Sequence, residues 1–520
     1  MTDIFEPVGP TAYVVQQNQA GSEQLPSADN DFRDSQHGLL ATPQEYGVFA
    51  QYGDRMIWGF NSFEFLEEDA PGSAAAAVWR QGRLDSPTGL FYVTEGLYQV
   101  RGFDLANMTI AAGPDGLVVI DPLGSQETAR AALELYRSNR EDNRPVRAVV
   151  YTQSGVDHFG GVRGLFDDDA VPAGLKIYAP DGFLADAVLR QVTEGAHNAK
   201  LVDYAYGTRL EASPRGLVDS GLGRSVSTGN PTFLAPTDTV GGPLPAATAK
   251  AGWPASTGIA WQAGLYVVEV AGVQLVLQPA GGHASPAELN LYLPAFKTVH
   301  LAGAGLLGTP GKNRADLLNA TITAFAAVAE IGTSAYGHPV WRTEEEPDQV
   351  SAWLAAQRTA ATTVPDAGAA APLLDTPGYL DTPSRTVREV WARLTGTPLG
   401  AAQPAITAQE GLLASGSADK AVDAAQRAYD DAVPNYAEAV LLLDPVVSAT
   451  SIPAAVPAET EQQARALQSK ALTQLGYLTT HARLRNALLT AASDVLDPDS
   501  AVTYFTQTVT DLDAYINTPT

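Results

Sequence analysis

The sequence predicts an α/β fold followed by an α-helical region. Between about residue 90 and residue 345, short runs rich in β-branched residues alternate with longer runs of helical pattern. From residue 385 onward, apolar residues recur at spacings of three and four, which is typical of amphipathic helices. A chain of 520 residues is also long enough for more than one structural unit. We therefore expect a sheet-containing body and a separate helical domain.

The polar segment 1–45 is rich in Gln, Ser and Asp and predicts an arm that wraps around the body or a partner. The body is expected over 46–355. Its predicted strands are Tyr98–Val100, Met108–Ala111, Leu117–Ile120, Ala148–Thr152, Lys176–Ala179, Tyr266–Val270 and Val273–Gln278. Its predicted helices are Glu127–Asn139, Gly182–Glu194 and Arg314–Ile331.

The region after the body divides into a linker and a helical domain. Thr359–Thr376 is rich in Pro, Ala and Thr, so we assign 356–384 to a linker or surface loop. The helical domain is expected over 385–520. Apolar spacing predicts helices at Ala418–Ala432 and Thr460–Leu475, and Ser417 is a suitable N-cap for the first of them.

A polar loop at 152–161 carries a carboxylate and an imidazole next to each other. It follows the β-rich run Val146–Tyr151 and contains Asp157 and His158 next to each other. Side chains at the end of a strand are held by a rigid scaffold. A carboxylate beside an imidazole can tune the imidazole pKa toward neutrality, and such a pair suits general acid–base catalysis.

The loop and several longer runs resemble the alkylsulfatase branch of the metallo-β-lactamase superfamily. These runs are Trp79–Gln81, Gly96–Met108, Val119–Leu123, Pro214–Gly216, Ser227–Gly229, Pro236–Thr239 and Pro286–Pro294. The resemblance covers roughly 30–350 and, less closely, 378–490. It implies an αββα sandwich, an ancestral activity on alkyl sulfates such as dodecyl sulfate, and a helical domain through which two chains form a homodimer.

The same resemblance indicates that the metal ligands have changed. Family members hold two zinc ions with four histidines, one aspartate and two glutamates. At the matching positions this chain has Gln153, Gly155, Asp157, His158, Ala284, Gly303, and Tyr336 or Gly337, while a sulfate-holding arginine falls near Pro310. Among the seven histidines, His158 alone matches a ligand position, and no cysteine is present to substitute. We therefore expect neither a metal nor another cofactor, because zinc needs three or four protein ligands.

If the family's cavity persists, its polar lining predicts the functional residues. The expected catalytic residues are Asp157, His158, Tyr206 and His338. The expected substrate-binding residues are Gln153, Thr228, Asn230, His283, Glu288 and Tyr336. Tyr206 matches a family tyrosine near the sulfate. The alternative is structural: Asp157 and His158 would bond each other or the loop backbone, and Glu288 would be part of the scaffold.

Charge and composition limit the partners. A net charge of −26 argues against nucleic acids and anionic membrane surfaces, which would repel the chain. No run of about 18 apolar residues predicts a transmembrane helix. The segment Met1–Pro7 lacks the basic and apolar regions of an export signal, so a cytoplasmic location is expected. The expected partners are a small organic molecule and a second copy of the chain.

Three functions remain open at this point. The first is an alkylsulfatase-like protein repurposed for metal-independent chemistry on a small organic substrate. The second is a catalytically inactive dimeric binding or scaffold protein. The third is a hydrolase of sulfate or other esters with one metal ion at Asp157 and His158, completed by His338 or Tyr336. A retained cavity would favour the first function, a cavity filled by side chains would favour the second, and bound metal would favour the third.

Overall fold

The computed structural model describes most of the chain. The described residues are 5–22, 25, 30–50, 54–166, 171–241, 253–280, 287–303, 312–376, 382–396, 399, 417–447 and 456–497.

The first sheet of the described chain has eight strands, ordered β1-β4-β5-β6-β7-β8-β9-β10. They are β1 (Leu39–Ala41), β4 (Gly89–Thr94), β5 (Leu97–Arg101), β6 (Met108–Gly113), β7 (Gly116–Ile120), β8 (Val146–Val150), β9 (Lys176–Pro180) and β10 (Asp238–Val240). Pairing is antiparallel from β1 to β7 and parallel from β7 to β10. A separate hairpin contains β2 (Gly47–Phe49) and β3 (Met56–Gly59).

The second sheet packs face to face with the first. Its described strands, in the order β11 to β16, are Tyr266–Val270, Val273–Pro279, Leu289–Leu293, Thr298–Leu301, Ile331–Ser334 and Val340–Trp341. One apolar core joins residues such as Val118 and Ile120 of the first sheet to Leu275 and Leu291 of the second. Strands buried on both faces appear as continuous apolar runs, as in Gly116–Ile120.

Helices cover the outer faces of both sheets. The described helices are α1 (Ala12–Ser22), α2 (Asn30–Gln36), α3 (Ala76–Asp85), α4 (Gln126–Arg140), α5 (Phe183–Val188), α6 (Gly195–Tyr206), α7 (Lys312–Phe325), α8 (Gln349–Ala360), α9 (Ala371–Leu374), α10 (Pro383–Thr395), α11 (Ala418–Asp430), α12 (Tyr436–Val447), α13 (Ala458–Leu478) and α14 (Ala482–Leu496). Leu133 of α4 packs under the first sheet, and Phe325 of α7 packs under the second. The predicted αββα sandwich is confirmed.

Helices α10 to α14 pack on one another and on the body. They share one apolar core with Leu201 and Tyr204 of α6. The buried Arg485 of α14 donates to backbone carbonyls of Ser73, Pro214 and Gly216, at 3.0, 3.3 and 3.0 Å. The helical domain is therefore attached to the body by buried polar contacts as well as by apolar packing.

The N-terminal segment bridges both parts. Thr11 N donates to Gln474 Oε1 at 2.9 Å, and Tyr477 Oη donates to the carbonyl of Val8 at 2.8 Å. Strand β1 joins the edge of the first sheet, so the segment predicted as an arm contributes one strand to the body. None of the described helices combines the length and apolar character that a bilayer crossing requires.

Several predicted element boundaries differ from the structure. The helix predicted to run to Ile331 ends at Phe325, because Ile331–Ser334 pairs in parallel with β14. The helix predicted over Gly182–Glu194 begins at Phe183 and continues from Leu189 to Thr193 as a wider π-helical turn. In the predicted linker, Ala370 and Leu373 are buried in the helical core, so this part is packed against the domain.

The prediction of Ser417 as an N-cap agrees with the structure. Its side chain accepts a hydrogen bond from the backbone N–H of Lys420. Such a bond satisfies one of the free N–H groups in the first turn of α11.

Candidate active site

The loop after β8 is held in place by two glycines. It turns at Val156–His158 and reaches Gly160 and Gly161, which lie against the segment after β7. A Cβ atom at Gly161 would lie 2.0 Å from the carbonyl oxygen of Pro122, so no other residue fits there without movement. This close approach positions Asp157 and His158 beside the ends of β7 and β8.

His158 is fully buried and bonded at both ring nitrogens. Its Nδ1 lies 3.1 Å from Asp121 Oδ2, and its Nε2 lies 2.8 Å from Tyr336 Oη. Asp121 also accepts hydrogen bonds from Thr152 N at 2.9 Å and Thr152 Oγ1 at 2.7 Å. Burial alone would lower the pKa of His158, but the carboxylates of Asp157 and Asp121 outweigh it and raise this pKa to about 9. His158 is therefore an imidazolium at neutral pH.

Tyr336 connects His158 to Asp157. Its hydroxyl donates to Asp157 Oδ2 at 2.6 Å and accepts from the protonated His158. Burial, followed by the charge of Asp157, raises the pKa of Tyr336 well above its ordinary value, so the hydroxyl stays protonated. Asp121, His158, Tyr336 and Asp157 thus form one hydrogen-bonded chain, which we call the relay.

A second polar group lies next to the relay. Gln153 Nε2 donates to Glu288 Oε1 at 2.9 Å, and the Arg314 guanidinium forms an ion pair with the same carboxylate. Arg314 Nε also lies 3.3 Å from Glu288 Oε2, so the contact uses both carboxylate oxygens. A Cβ atom on Gly303 would be in ordinary contact with all three side chains, at 3.4 to 3.9 Å.

A cavity of about 560 Å³ opens beside both groups. Its wall includes Asp157, Tyr336, Gln153, Gly303 and Arg314, together with residues of α6, the π-helical turn and α10. The apolar part of the wall includes Leu189, Leu201, Leu222, Val226, Val390 and Leu394. The helical domain therefore supplies part of the cavity.

Tyr206 also lines the cavity. It contacts Arg483 of α14, and burial raises the pKa of its hydroxyl. Two ion pairs lie at the same wall: Arg190 with Asp186 at 3.0 Å, and Arg393 with Glu194 at 3.1 Å. Cationic and anionic side chains thus both line this part of the cavity.

Three predicted site residues lie elsewhere. The backbone N–H of Thr228 donates to the carbonyl of Ile57 in β3. The backbone N–H of Asn230 donates to Glu127 Oε2, at the start of α4, at 2.8 Å. Neither is part of the cavity wall. His338 is also absent from it; burial and the charge of Arg101 lower its pKa to about 4.

Of the residues predicted to line a pocket beside Asp157, the cavity wall includes Gln153, Tyr206 and Tyr336 but not His338, and their roles stay predictions. Glu288 reaches the cavity through its contacts with Gln153 and Arg314. His283 and Ala284 lie outside the described residues.

Two residues of the site were missed by the sequence analysis. Asp121 directly follows the buried strand β7, and an acidic residue at the end of such a strand is a signal that could have identified it. Arg314 had no comparable signal, because a basic residue at the start of a helical run is ordinary. In the described residues, no group of three or more His, Cys, Asp or Glu side chains is arranged to hold a metal ion.

Comparison with known families identifies two matching regions. The metallo-beta-lactamase superfamily model matches residues 101–238, and the alkyl sulfatase dimerisation model matches residues 357–497. The first match runs from the end of β5 to the start of β10 and includes the loop with Asp157 and His158. The second spans the helical domain.

Individual relatives agree with these matches. An (R)-specific secondary-alkylsulfatase of Pseudomonas sp is 32% identical over 515 residues, covering 91% of this chain and 72% of that protein. A linear primary-alkylsulfatase of Pseudomonas sp is 44% identical over 227 residues, covering 43% of this chain but only 33% of that protein. The solved structure of the stereoselective inverting sec-alkylsulfatase Pisa1 from Pseudomonas sp. superposes with a TM-score of 0.77 at 29% identity, covering 97% of this chain and 80% of that one.

Proposed function

The chain belongs to the alkylsulfatase family of the metallo-β-lactamase superfamily, and we propose that it acts on a small organic molecule by metal-independent acid–base chemistry. The single observation that carries the proposal is the relay, which runs from the buried Asp121 to Asp157 at the cavity wall. A relay of this kind can hold a carboxylate in place and exchange protons with it.

The side chains at the family's metal positions do not suit a pair of zinc ions. Gln153 offers a neutral amide, and Gly155 and Gly303 offer no side chain. A Cβ atom at Gly155 would lie 2.6 Å from Asp157 Oδ1, so this carboxylate occupies space that a histidine at position 155 would need. His158 Nδ1 lies 3.1 Å from Asp121 Oδ2 and its Nε2 lies 2.8 Å from Tyr336 Oη, so both ring nitrogens have protein partners.

Asp157 is the group proposed to act on the substrate. Its Oδ2 accepts from Tyr336, while Oδ1 takes part in none of the hydrogen bonds found among the described residues. Asp157 Oδ1 would take a proton from a nucleophilic water or from a substrate hydroxyl. Tyr336 and His158 would position the carboxylate and stabilise its charge. The names of the relatives suggest sulfate esters as the first substrates to test.

The proposal predicts that turnover survives chelation and depends on Asp157. Protein treated with a chelator is assayed against alkyl sulfates, alkyl phosphates and carboxylic esters of equal chain length. Replacing Asp157 by Asn should lower kcat by about 100-fold or more, because general bases contribute about 10²–10⁴-fold. Tyr336→Phe should have a smaller effect, since it removes only the group that positions Asp157.

Asp115→Asn, on the exposed turn between β6 and β7, is the matched control and should retain full activity. Activity that appears only with added zinc would contradict the proposal, as would full activity in Asp157→Asn. Ligand binding without turnover of any ester would support the binding-protein alternative instead.

We also propose that the chain self-associates through its helical domain. The match to the alkyl sulfatase dimerisation model over 357–497 supports this. Light scattering at micromolar concentration should give a mass near twice the 54.6 kDa of one chain. A monomer that retains the native fold under these conditions would refute the proposal.

A further inference from the structure

The cavity beside the relay has buried inner residues and an exposed mouth. Tyr336 is buried where the cavity meets the relay. Three other residues of the wall are open to solvent: the side chains of Arg393 and Glu194 are 39% and 37% exposed, and Leu189 is 45% exposed. A residue that lines a cavity and also faces solvent marks its opening. The mouth therefore lies between α10 and the π-helical turn.

The π-helical turn is a wide and weakly packed part of the chain that leads into α6. The backbone N–H of Glu194 donates to the carbonyl of Leu189, five residues earlier, at 2.8 Å. The ordinary spacing of four residues resumes at Asn198, whose N–H donates to the carbonyl of Glu194 at 2.8 Å. None of the five residues Leu189–Thr193 is buried. Such wide turns are frequent at functional sites, and segments with few buried contacts open at low cost.

Arg393 of α10 joins the helical domain to the residue at which the wide turn closes. Its Nη2 lies 3.1 Å from Glu194 Oε2, and its Nη1 donates to Asn198 Oδ1 at 3.0 Å. This contact crosses the mouth, because α10 and the π-helical turn form its two sides. An exposed ion pair contributes little stability, so it forms and breaks readily in solution.

The other end of the turn is fixed to the body. The carboxylate of Asp186 accepts hydrogen bonds from the Arg190 guanidinium, at 3.0 Å, and from the hydroxyl of the buried Ser154. Ser154 belongs to the loop that carries Asp157 and His158. The turn is thus attached to the body by a largely buried contact and to the helical domain by an exposed one.

We propose that the π-helical turn is a gate over the cavity and that the ion pair between Arg393 and Glu194 latches it closed. Release of Glu194 would let the turn move away from α10 and admit a small molecule between them. The proposal concerns access to the cavity and is independent of the reaction that the site performs.

A single engineered thiol can report access to the cavity, because the chain contains no cysteine. Val226 lines the cavity and packs in the same apolar cluster as Tyr336. The rate at which N-ethylmaleimide labels the Val226→Cys variant would therefore measure how often the gate is open. This reagent is uncharged, so the charges of the latch do not attract or repel it.

In the Val226→Cys background, Arg393→Met and Glu194→Gln should each speed labelling by about two- to fivefold, the range that an exposed ion pair can contribute. A direct effect of charge on the thiol would differ between them. Loss of a nearby cation raises the pKa of a thiol and slows labelling, whereas loss of an anion lowers this pKa. Acceleration by both variants therefore supports the latch, and changes of opposite sign would overturn it.

The exchange of Glu194→Arg with Arg393→Glu re-forms the ion pair and should return labelling to the slow rate. Asn198 suits both arrangements, because its amide donates as well as accepts. Lys297→Met is the matched control, since Lys297 pairs with Glu330 on the surface, outside the cavity wall, and the change in net charge is the same as in Arg393→Met. Unchanged labelling in both single variants, or equal acceleration by the control, would contradict the gate. An exchange variant that labels as fast as the single variants would also reject it.

Discussion

Replacing Asp121 by Asn is expected to lower the free energy of unfolding by about 3–5 kcal/mol, the usual cost of removing one partner from a buried ion pair. Asp121 is fully buried, and its carboxylate faces the His158 imidazolium. Burial would raise the pKa of Asp121, but the charge and close contact of His158, together with the charge of the nearby His300, lower it to about 2. An amide at position 121 would leave the imidazolium with Asp157 as its main counter-charge.

The pH dependence of this loss of stability follows from the lowered pKa of Asp121 in the folded chain. Because the folded-state pKa of Asp121 lies below its unfolded value of about 3.9, its stabilising contribution is present above that value and is lost as pH falls through about 2. Urea unfolding should therefore show a large difference between wild type and Asp121→Asn at pH 7, and a smaller one at pH 3. Asp115→Asn should match the wild type throughout. A variant as stable as the wild type at pH 7 would refute the imidazolium assignment for His158.

Replacing Arg485 by Ala is expected to destabilise the whole chain by about 3 kcal/mol or more. The side chain is fully buried and supplies donors to carbonyls of Ser73, Pro214 and Gly216. Its guanidinium also lies over the ring of Tyr477, at 5.3 Å. The variant would remove these donors and leave a cavity between the helical domain and the body, and both effects are destabilising.

Thermal unfolding would measure this loss, with Arg427→Ala on the exposed side of α11 as the matched control. Arg485→Met, which keeps most of the volume but no donors, should be intermediate. Because Arg483 lies on the same helix and lines the cavity, ligand binding should weaken in Arg485→Ala as well. If Arg485→Ala unfolds at the same temperature as Arg427→Ala, the contact between the helical domain and the body depends on apolar packing alone.

Sequence patterns predicted the layers well because the buried strands are short and apolar. Gly116–Ile120 and Val273–Pro279 are mostly apolar and buried along their length, which is the pattern of strands that lie between two packed layers. The patterns failed where tertiary contacts override local preference. The Ala-rich run after Phe325 favours helix, yet Ile331–Ser334 is recruited by parallel pairing with β14.

The candidate site could be predicted only in part. Asp157 and His158 were identifiable because they lie in one loop. Asp121 and Arg314 come from distant parts of the chain, and their roles depend on partners that no local pattern specifies. His338 was placed at the site because of its nearness in sequence to Tyr336. In the folded chain these two residues do not share the cavity, since the left-handed backbone of Gly337 lies between them.

The contacts of the N-terminal segment have a consequence for folding during synthesis. Thr11 and Gln474 are 463 residues apart in sequence, and translation at about 5–20 residues per second separates their appearance by roughly 20–90 s. During that interval the side of α1 that carries Val14, which is fully buried in the folded protein, lacks its partner α13. The α1 helix therefore emerges long before its native contacts can form, and its docking is a late step that brings together parts of the chain 463 residues apart.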